Sequence, residues 1–166
     1  MNKPSSHEEN NFQEHIRKYG GIITRLCYYY AENEDDFRDL RQDVLATLWE
    51  ARDKYQGLSS SSTWIYRVTL NVCVSAFRKS TRKKKIIQRL DKGQDYPFEE
   101  DFKTERLKTM HRMINRLPEQ DKAILLLWLD DLKYEEISDI TGLQRNTLAT
   151  RLRRIKEKIC KMTVEL

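Results

Sequence analysis

The stretch Tyr134-Glu135-Glu136-Ile137-Ser138-Asp139-Ile140-Thr141-Gly142-Leu143, running on through residues 144–159, decides the reading of this chain. It reads as helix, tight turn, helix. Ile137 and Ile140 give the first helix an apolar face, and Gly142 supplies the positive φ that a sharp stop needs. Leu143 then turns toward the core, and a second helix is expected from Gln144 or Arg145. Along that helix Leu148, Leu152, Ile155 and Ile159 recur at spacings of four, three and four, which makes one buried stripe. At ~100° per residue the opposite face carries Asn146, Thr150 and Arg153, flanked by Ala149 and Arg154, with Arg145 at its start. An apolar back with an amide, a hydroxyl and guanidiniums in front is what a major-groove recognition helix requires. Asn pairs with adenine edges, Arg with guanine edges or phosphates, and Ala and Thr methyls pack on thymine methyls. An ordinary amphipathic helix with a solvated basic face shares the charges, but not the glycine-marked turn in front of them.

Bulk properties bound the rest. The 166 residues leave room for one average domain or two small ones. Apolar content is 39%, charged content is 34%, and Gly and Pro are scarce, which is a helix-rich composition. No run approaches ~20 apolar residues, so no membrane span is expected. Residues 1–11 are polar with no apolar core, so no signal peptide is read there and a cytoplasmic location is expected. Cys27, Cys73 and Cys160 are far apart and odd in number, without a CxxC or Cys/His cluster, so neither a zinc site nor a disulfide framework is indicated. The net charge of +5 matters less than how it is distributed.

In chain order, residues 1–11 read as a disordered leader. In 12–30 the apolar residues suggest a helix or two, with Gly20-Gly21 marking an interruption. Acidic residues at 32–36 lead into a helix over about 36–55, with Leu40, Val44 and Leu48 spaced by four. A Gly- and Ser-rich break at 56–63 follows, and Ser62 or Thr63 is placed to cap a helix over 64–82. That helix carries a polar, basic stripe of Arg67, Asn71, Ser75, Arg78 and Arg82. A basic stripe beside Trp64 and Tyr66 suits single-stranded as readily as double-stranded nucleic acid, because aromatics stack on exposed bases; the two rings read equally as core. Positive charge is dense over 78–85 and negative charge over 91–105, and the latter stretch reads as a linker. Beyond it come a helix with Leu107, Met110, Met113, Ile114 and Leu117, then Pro118 at a helix start, then an apolar helix over 119–130.

Four stretches resemble, in order and spacing, the bacterial RNA polymerase sigma factors of the extracytoplasmic-function type, which keep only two conserved sigma domains. Asp39-Leu40-Arg41-Gln42-Asp43-Val44 resembles the region 2.2 signature, and Ser62-Thr63-Trp64-Ile65-Tyr66-Arg67-Val68-Thr69-Leu70-Asn71 the region 2.3 run. Leu117-Pro118-Glu119-Gln120 resembles the start of region 4, and the helix-turn-helix resembles region 4.2. The expected fold is all-α: a region 2 helical bundle over 12–85 and a region 4 helix-turn-helix domain over 106–166, joined by an acidic flexible linker over 86–105.

The resemblance implies a division of labour. The 39–49 helix would dock on the β′ clamp of core RNA polymerase, with Asp39, Leu40, Gln42, Asp43 and Leu48 as contacts. The 56–62 loop and the helix after it would open the promoter −10 element and capture an extruded base, with Ser61, Trp64, Arg67, Asn71, Arg78 and Lys79 as candidate DNA contacts. Arg145, Asn146, Ala149, Thr150, Arg153 and Arg154 would read the −35 element. The β flap of the polymerase and an anti-sigma factor at the inner membrane are further implied partners, and the acidic linker would thread a basic channel of the enzyme. Two positions depart from the family pattern: Ser61 stands where a bulkier residue is usual in the specificity loop, and Ala149 where Lys or Arg is usual. No cofactor, metal or catalytic residue is expected, since His7, His15 and His111 are scattered and no Gly-rich phosphate loop is present. Two other classes compete. A stand-alone helix-turn-helix regulator would bind duplex DNA tightly without polymerase. A nuclease would need a carboxylate cluster for its metal, and the acidic residues here lie in a linker and a turn.

Overall fold

The computed structural model describes residues 6–55, 57, 59–87 and 105–164, which form seven α-helices and no strand. Three make the N-terminal half: α1 (Ser6–Tyr30), α2 (Glu34–Ala51), which runs into a short 3₁₀ turn over Arg52–Lys54, and α3 (Ser61–Ile87). Four make the C-terminal half: α4 (Glu105–Asn115), α5 (Glu119–Leu129), α6 (Tyr134–Thr141) and α7 (Arg145–Val164). The all-helical, two-part architecture is as expected. Most of the acidic linker stretch lies outside the described residues. Its edges do not, because α3 continues to Ile87 and α4 begins at Glu105.

Local chemistry sets the helix ends. Asn33 caps α2: its side-chain oxygen accepts the Asp36 N–H at 2.8 Å, and the Asp36 carboxylate accepts the Glu32 N–H at 2.8 Å. Glu34, Asp35 and Asp36 then place negative charge on the first turn, against the positive end of the helix dipole. At α3 the cap is Ser60 rather than Ser62 or Thr63. Its hydroxyl accepts the Thr63 N–H at 3.2 Å and its carbonyl the Trp64 N–H at 3.0 Å, so the helix starts one residue beyond it. Gly142 adopts φ 73° and closes α6 by donating its N–H to the Ser138 carbonyl at 2.8 Å. Pro118 sits at the cap position of α5 with ψ 149°, just outside the helix.

Helix α1 differs from its sequence reading. It begins at Ser6, so residues 6–11 are helical rather than leader, and Gly20-Gly21 do not interrupt it. Two glycines inside a helix cost about 1 kcal/mol each relative to alanine. Burial of Ile23, Leu26, Cys27 and Tyr30, all within the next three turns, offsets that cost.

The core of the N-terminal half joins these α1 residues to Leu40, Val44 and Leu48 of α2 and Ile65, Tyr66, Leu70 and Cys73 of α3. In the C-terminal half, Ile124–Leu127 of α5 pack with Ile137, Ile140, Leu148, Leu152 and Ile155. The two cores are contiguous. Across the junction Tyr30 donates its hydroxyl to the Glu119 carbonyl at 2.9 Å. Lys122, 2% exposed, reaches back from α5 to donate to the Tyr29 carbonyl and the Asn115 side chain, each at 3.0 Å. Its ammonium stands 5.1 Å from the Tyr30 ring centroid and 4.9 Å from that of Phe77. The His111 ring lies tilted against those of Tyr28 and Tyr29, at centroid distances of 4.9 Å and 5.3 Å.

Candidate nucleic-acid interface

Helix α7 divides as its periodicity requires. Leu148, Leu152 and Ile155 are buried and Ile159 is half-buried, while Arg145, Asn146, Ala149, Thr150, Arg153 and Arg154 are exposed together on the other side. The turn in front of it is fixed by polar contacts. Ser138 donates to the Leu143 carbonyl at 2.5 Å and Thr141 to the Ile137 carbonyl at 2.7 Å. Leu143 is half-buried on the common core. The guanidiniums on the open face are only loosely held. Arg145 pairs with Glu135 at 3.3 Å and Arg153 with Glu157 at 3.8 Å, all four side chains being more than half exposed. Such pairs contribute about 0–1 kcal/mol each, so a phosphate or a guanine edge displaces them easily. Arg151, one step round, is engaged with Gln120 at 3.0 Å and Asp121 at 3.5 Å and instead ties α7 to α5.

Helix α3 also carries its predicted stripe on the outside: Arg67, Asn71, Ser75, Arg78, Lys79 and Arg82 are all exposed. The two aromatics part company. Tyr66 is core, 5% exposed, whereas Trp64 is half-buried with its ring 5.0 Å from that of Tyr55. Tyr55 donates its hydroxyl to the Ser59 carbonyl at 2.5 Å, just ahead of α3. Ser61 belongs to the first turn of α3, not to that loop. Behind Tyr55 and Trp64 lies a cleft of about 210 Å³ closed by Phe12, Ile16, Arg52 and Asp53.

The face of α3 is not open along its length. Arg67 donates to the Asp139 carbonyl of α6 at 2.7 Å, and Arg78 pairs with Glu119 of α5 at 2.5 Å. Next to Arg67, Tyr66 donates its hydroxyl to Asp130 at 2.8 Å, and Arg25 of α1 pairs with the same carboxylate oxygen. Burial pushes the Tyr66 phenol well above its ordinary value, so it stays a donor. Asp130, Lys122 and Asp139 were not singled out from the sequence. Their partners lie far along the chain, and no local pattern announces them.

On α2, Asp39, Gln42 and Asp43 are exposed as a polymerase-docking surface requires. Leu40 and Leu48 are not: at 4% and 0% exposure they are core residues of the N-terminal half. A spacing of four set them on one face, and that face is the inner one.

Comparison with known proteins joins these pieces. Residues 15–83 match the family model of sigma-70 region 2, and residues 107–159 match that of sigma-70 region 4. The RNA polymerase sigma factor SigV of Bacillus subtilis is 30% identical over 135 residues, covering 78% of this chain and 77% of SigV. The ECF RNA polymerase sigma factor SigW of the same organism is 22% identical over 172 positions, covering 96% and 92%. Among solved structures, the sigma factor RpoE in complex with the anti-sigma factor NepR, from Bartonella quintana, superposes with a TM-score of 0.76 at 18% identity, over 92% of this chain and 96% of that one. With both sigma regions in order and the helix-turn-helix intact, this chain belongs to the extracytoplasmic-function sigma factors, the proteins that direct RNA polymerase to promoters.

Proposed function

We propose that this sigma factor reads its promoters with two separate surfaces. The exposed face of α7 reads the −35 element, and the basic face of α3 with the 56–60 loop binds and opens the −10 element. Asp39, Gln42 and Asp43 on the outer face of α2 meet the polymerase clamp. The observation that carries the reading is the clean split of α7, where three buried aliphatic residues back six exposed side chains able to contact bases and phosphates.

Joined through the enzyme, two modest readings act as one bivalent site. The chain does no chemistry of its own; RNA synthesis belongs to the polymerase, and melting draws on the energy of holding extruded bases, which offsets unstacking costs of a few kcal/mol. It works in the cytoplasm, and the likeness to a sigma factor solved with an anti-sigma factor supports control by a partner of that class.

The test is reconstitution. Purified protein is mixed with bacterial core RNA polymerase, sized on a column, and given a library of upstream fragments. Co-elution with discrete start sites is the expected result. Failure to associate, together with tight binding of duplex DNA by the protein alone, would make it a stand-alone regulator instead.

A further inference from the structure

We propose that Tyr55 is a positioning residue for promoter opening: its hydroxyl and ring hold Ser59, Ser60 and Trp64 at the entrance to α3, and so set which −10 bases the chain retains. Tyr55 is not among the promoter contacts expected from the sequence. The proposal rests on the reading of α3 as the −10 face.

The placement of Tyr55 starts at the end of α2. Arg52 lays its guanidinium 3.8 Å from the Trp49 ring centroid and donates to the Trp49 carbonyl at 2.6 Å, so a basic side chain closes the C-terminus of that helix. Phe12 of α1 meets the Trp49 ring edge-on at 5.0 Å. Tyr55 donates its N–H to the Arg52 carbonyl at 3.2 Å and leaves the helical conformation with ψ 99°. Its ring stands 5.0 Å from that of Trp64, tilted by 34°, within the span of favourable aromatic pairs. Its hydroxyl reaches the Ser59 carbonyl at 2.5 Å. Ser60, the next residue, caps α3: its hydroxyl accepts the Thr63 N–H at 3.2 Å and lies 2.8 Å from the hydroxyl of Thr63, which is buried. One line of contacts therefore runs from the end of α2 to the first turn of α3, and Tyr55 is its middle member.

Ser61 and Trp64, the candidate −10 contacts at this end, both lie on that first turn. Ser61 offers no aromatic face, which leaves the Trp64 ring as the stacking surface of the turn, with Tyr55 packed against it. Stacking of a base on one aromatic side chain is worth roughly fivefold to a hundredfold in binding. A ring that must first be ordered gives part of that gain back. The hydroxyl and the ring of Tyr55 can be separated by substitution. The ring is half-buried and walls the same cleft as Trp64, Ile16 and Ile65, so Tyr55→Phe keeps the wall and removes only the grip on Ser59.

The experiment uses core RNA polymerase reconstituted with the full chain, wild type or Tyr55→Phe. The template is a duplex promoter recovered in the reconstitution, with its −35 sequence kept and its −10 block randomised. Opening is read as permanganate reactivity of unpaired thymines. Tyr55→Phe should lower opening about fivefold on the −10 sequences that wild type prefers, the size of one lost hydrogen bond, and change it little on the poorest ones. Preference within the −10 block is thereby flattened, while affinity for core polymerase and preference within the −35 block stay as they were. Tyr55→Leu, which removes the ring as well, should flatten the −10 preference further. A purely structural role gives a different result: a lower urea midpoint and an equal loss of opening on every −10 sequence. That result overturns the proposal, and so does wild-type opening by Tyr55→Phe. Asn71→Ala separates this failure from that of the −10 reading itself, because Asn71 lies on the stripe about 10 Å along α3 from Trp64. If Asn71→Ala alters −10 preference and Tyr55→Phe does not, α3 remains the −10 face and only the role of Tyr55 is lost. If neither alters it, both readings fall.

Discussion

Helices α7 and α3 present the same kind of surface in opposite states. Each carries arginines and an asparagine on one side and aliphatic core on the other. The face of α7 is open to solvent, its arginines engaged only by exposed neighbours one or two turns away or across the adjoining turn. The face of α3 is engaged by residues 72 and 41 positions further along the chain. The proposed DNA face of α7 stands open, whereas that of α3 is partly occupied by α5 and α6. The difference teaches that the presence of a binding surface is a local property of a helix, while its availability is set by the tertiary fold.

The comparison breaks most drastically at the back of α7. Leu152, 1% exposed, holds the recognition helix to its domain. Leu152→Ala should cost about 2–5 kcal/mol, read as a lower urea midpoint, and should abolish −35-dependent transcription with it. Arg153→Ala leaves that core alone. It should cost about 1–3 kcal/mol of discrimination if Arg153 pairs with a base edge, read as weaker transcription only from promoters with the matching −35 sequence. Equal loss on every promoter would assign it to phosphate.

The junction that covers α3 should respond to pH. Burial pulls the Lys122 ammonium down to about 8 from an ordinary 10.5. Between those values the unfolded chain binds more protons, so stability should rise with pH across the lower part of that window. Burial raises the phenols of Tyr29, Tyr30 and Tyr66 above their ordinary value of 10. Above about pH 10 the unfolded chain therefore binds fewer protons and stability should fall again. On the acid side burial lowers His111 to about 4 from 6.5, so stability should fall as pH drops through that interval. Urea midpoints from pH 5 to 10.5 check both limbs, and Lys122→Met should flatten the alkaline rise.

The smallest effect concerns α1, the helix beneath α3. Gly21 is exposed, has no positive φ, and has open space where a Cβ would stand. Gly21→Ala should therefore stabilise the protein by about 0.5–1 kcal/mol without changing promoter choice. A loss of stability would show that the glycine pair serves something other than helix continuity.

What could be read in the sequence follows the same division. The helix-turn-helix was legible down to the φ of Gly142 and the exposed set on α7, because a period of 3.6 and one glycine are local signals. The α3 stripe was legible for the same reason. The unbroken α1 was not, since tertiary burial of Ile23 and Leu26 outweighs the local preference of two glycines. Leu40 and Leu48 were misplaced on the polymerase surface because spacing identifies a face without saying which way it points. Lys122 was not legible, because its cage of Tyr30, Phe77, Asn115 and the Tyr29 carbonyl is assembled from three other helices. Tyr66 and Asp130, 64 positions apart, meet only in the folded chain.

The most direct test of two separate reading surfaces is transcription by the reconstituted holoenzyme from a promoter library randomised at both elements. Wild type is compared with Asn71→Ala on α3 and Arg153→Ala on α7. Arg153→Ala should relax preference within the −35 block alone and Asn71→Ala within the −10 block alone. If both variants alter the same block, or neither alters any, the assignment of the two helices to two elements is wrong.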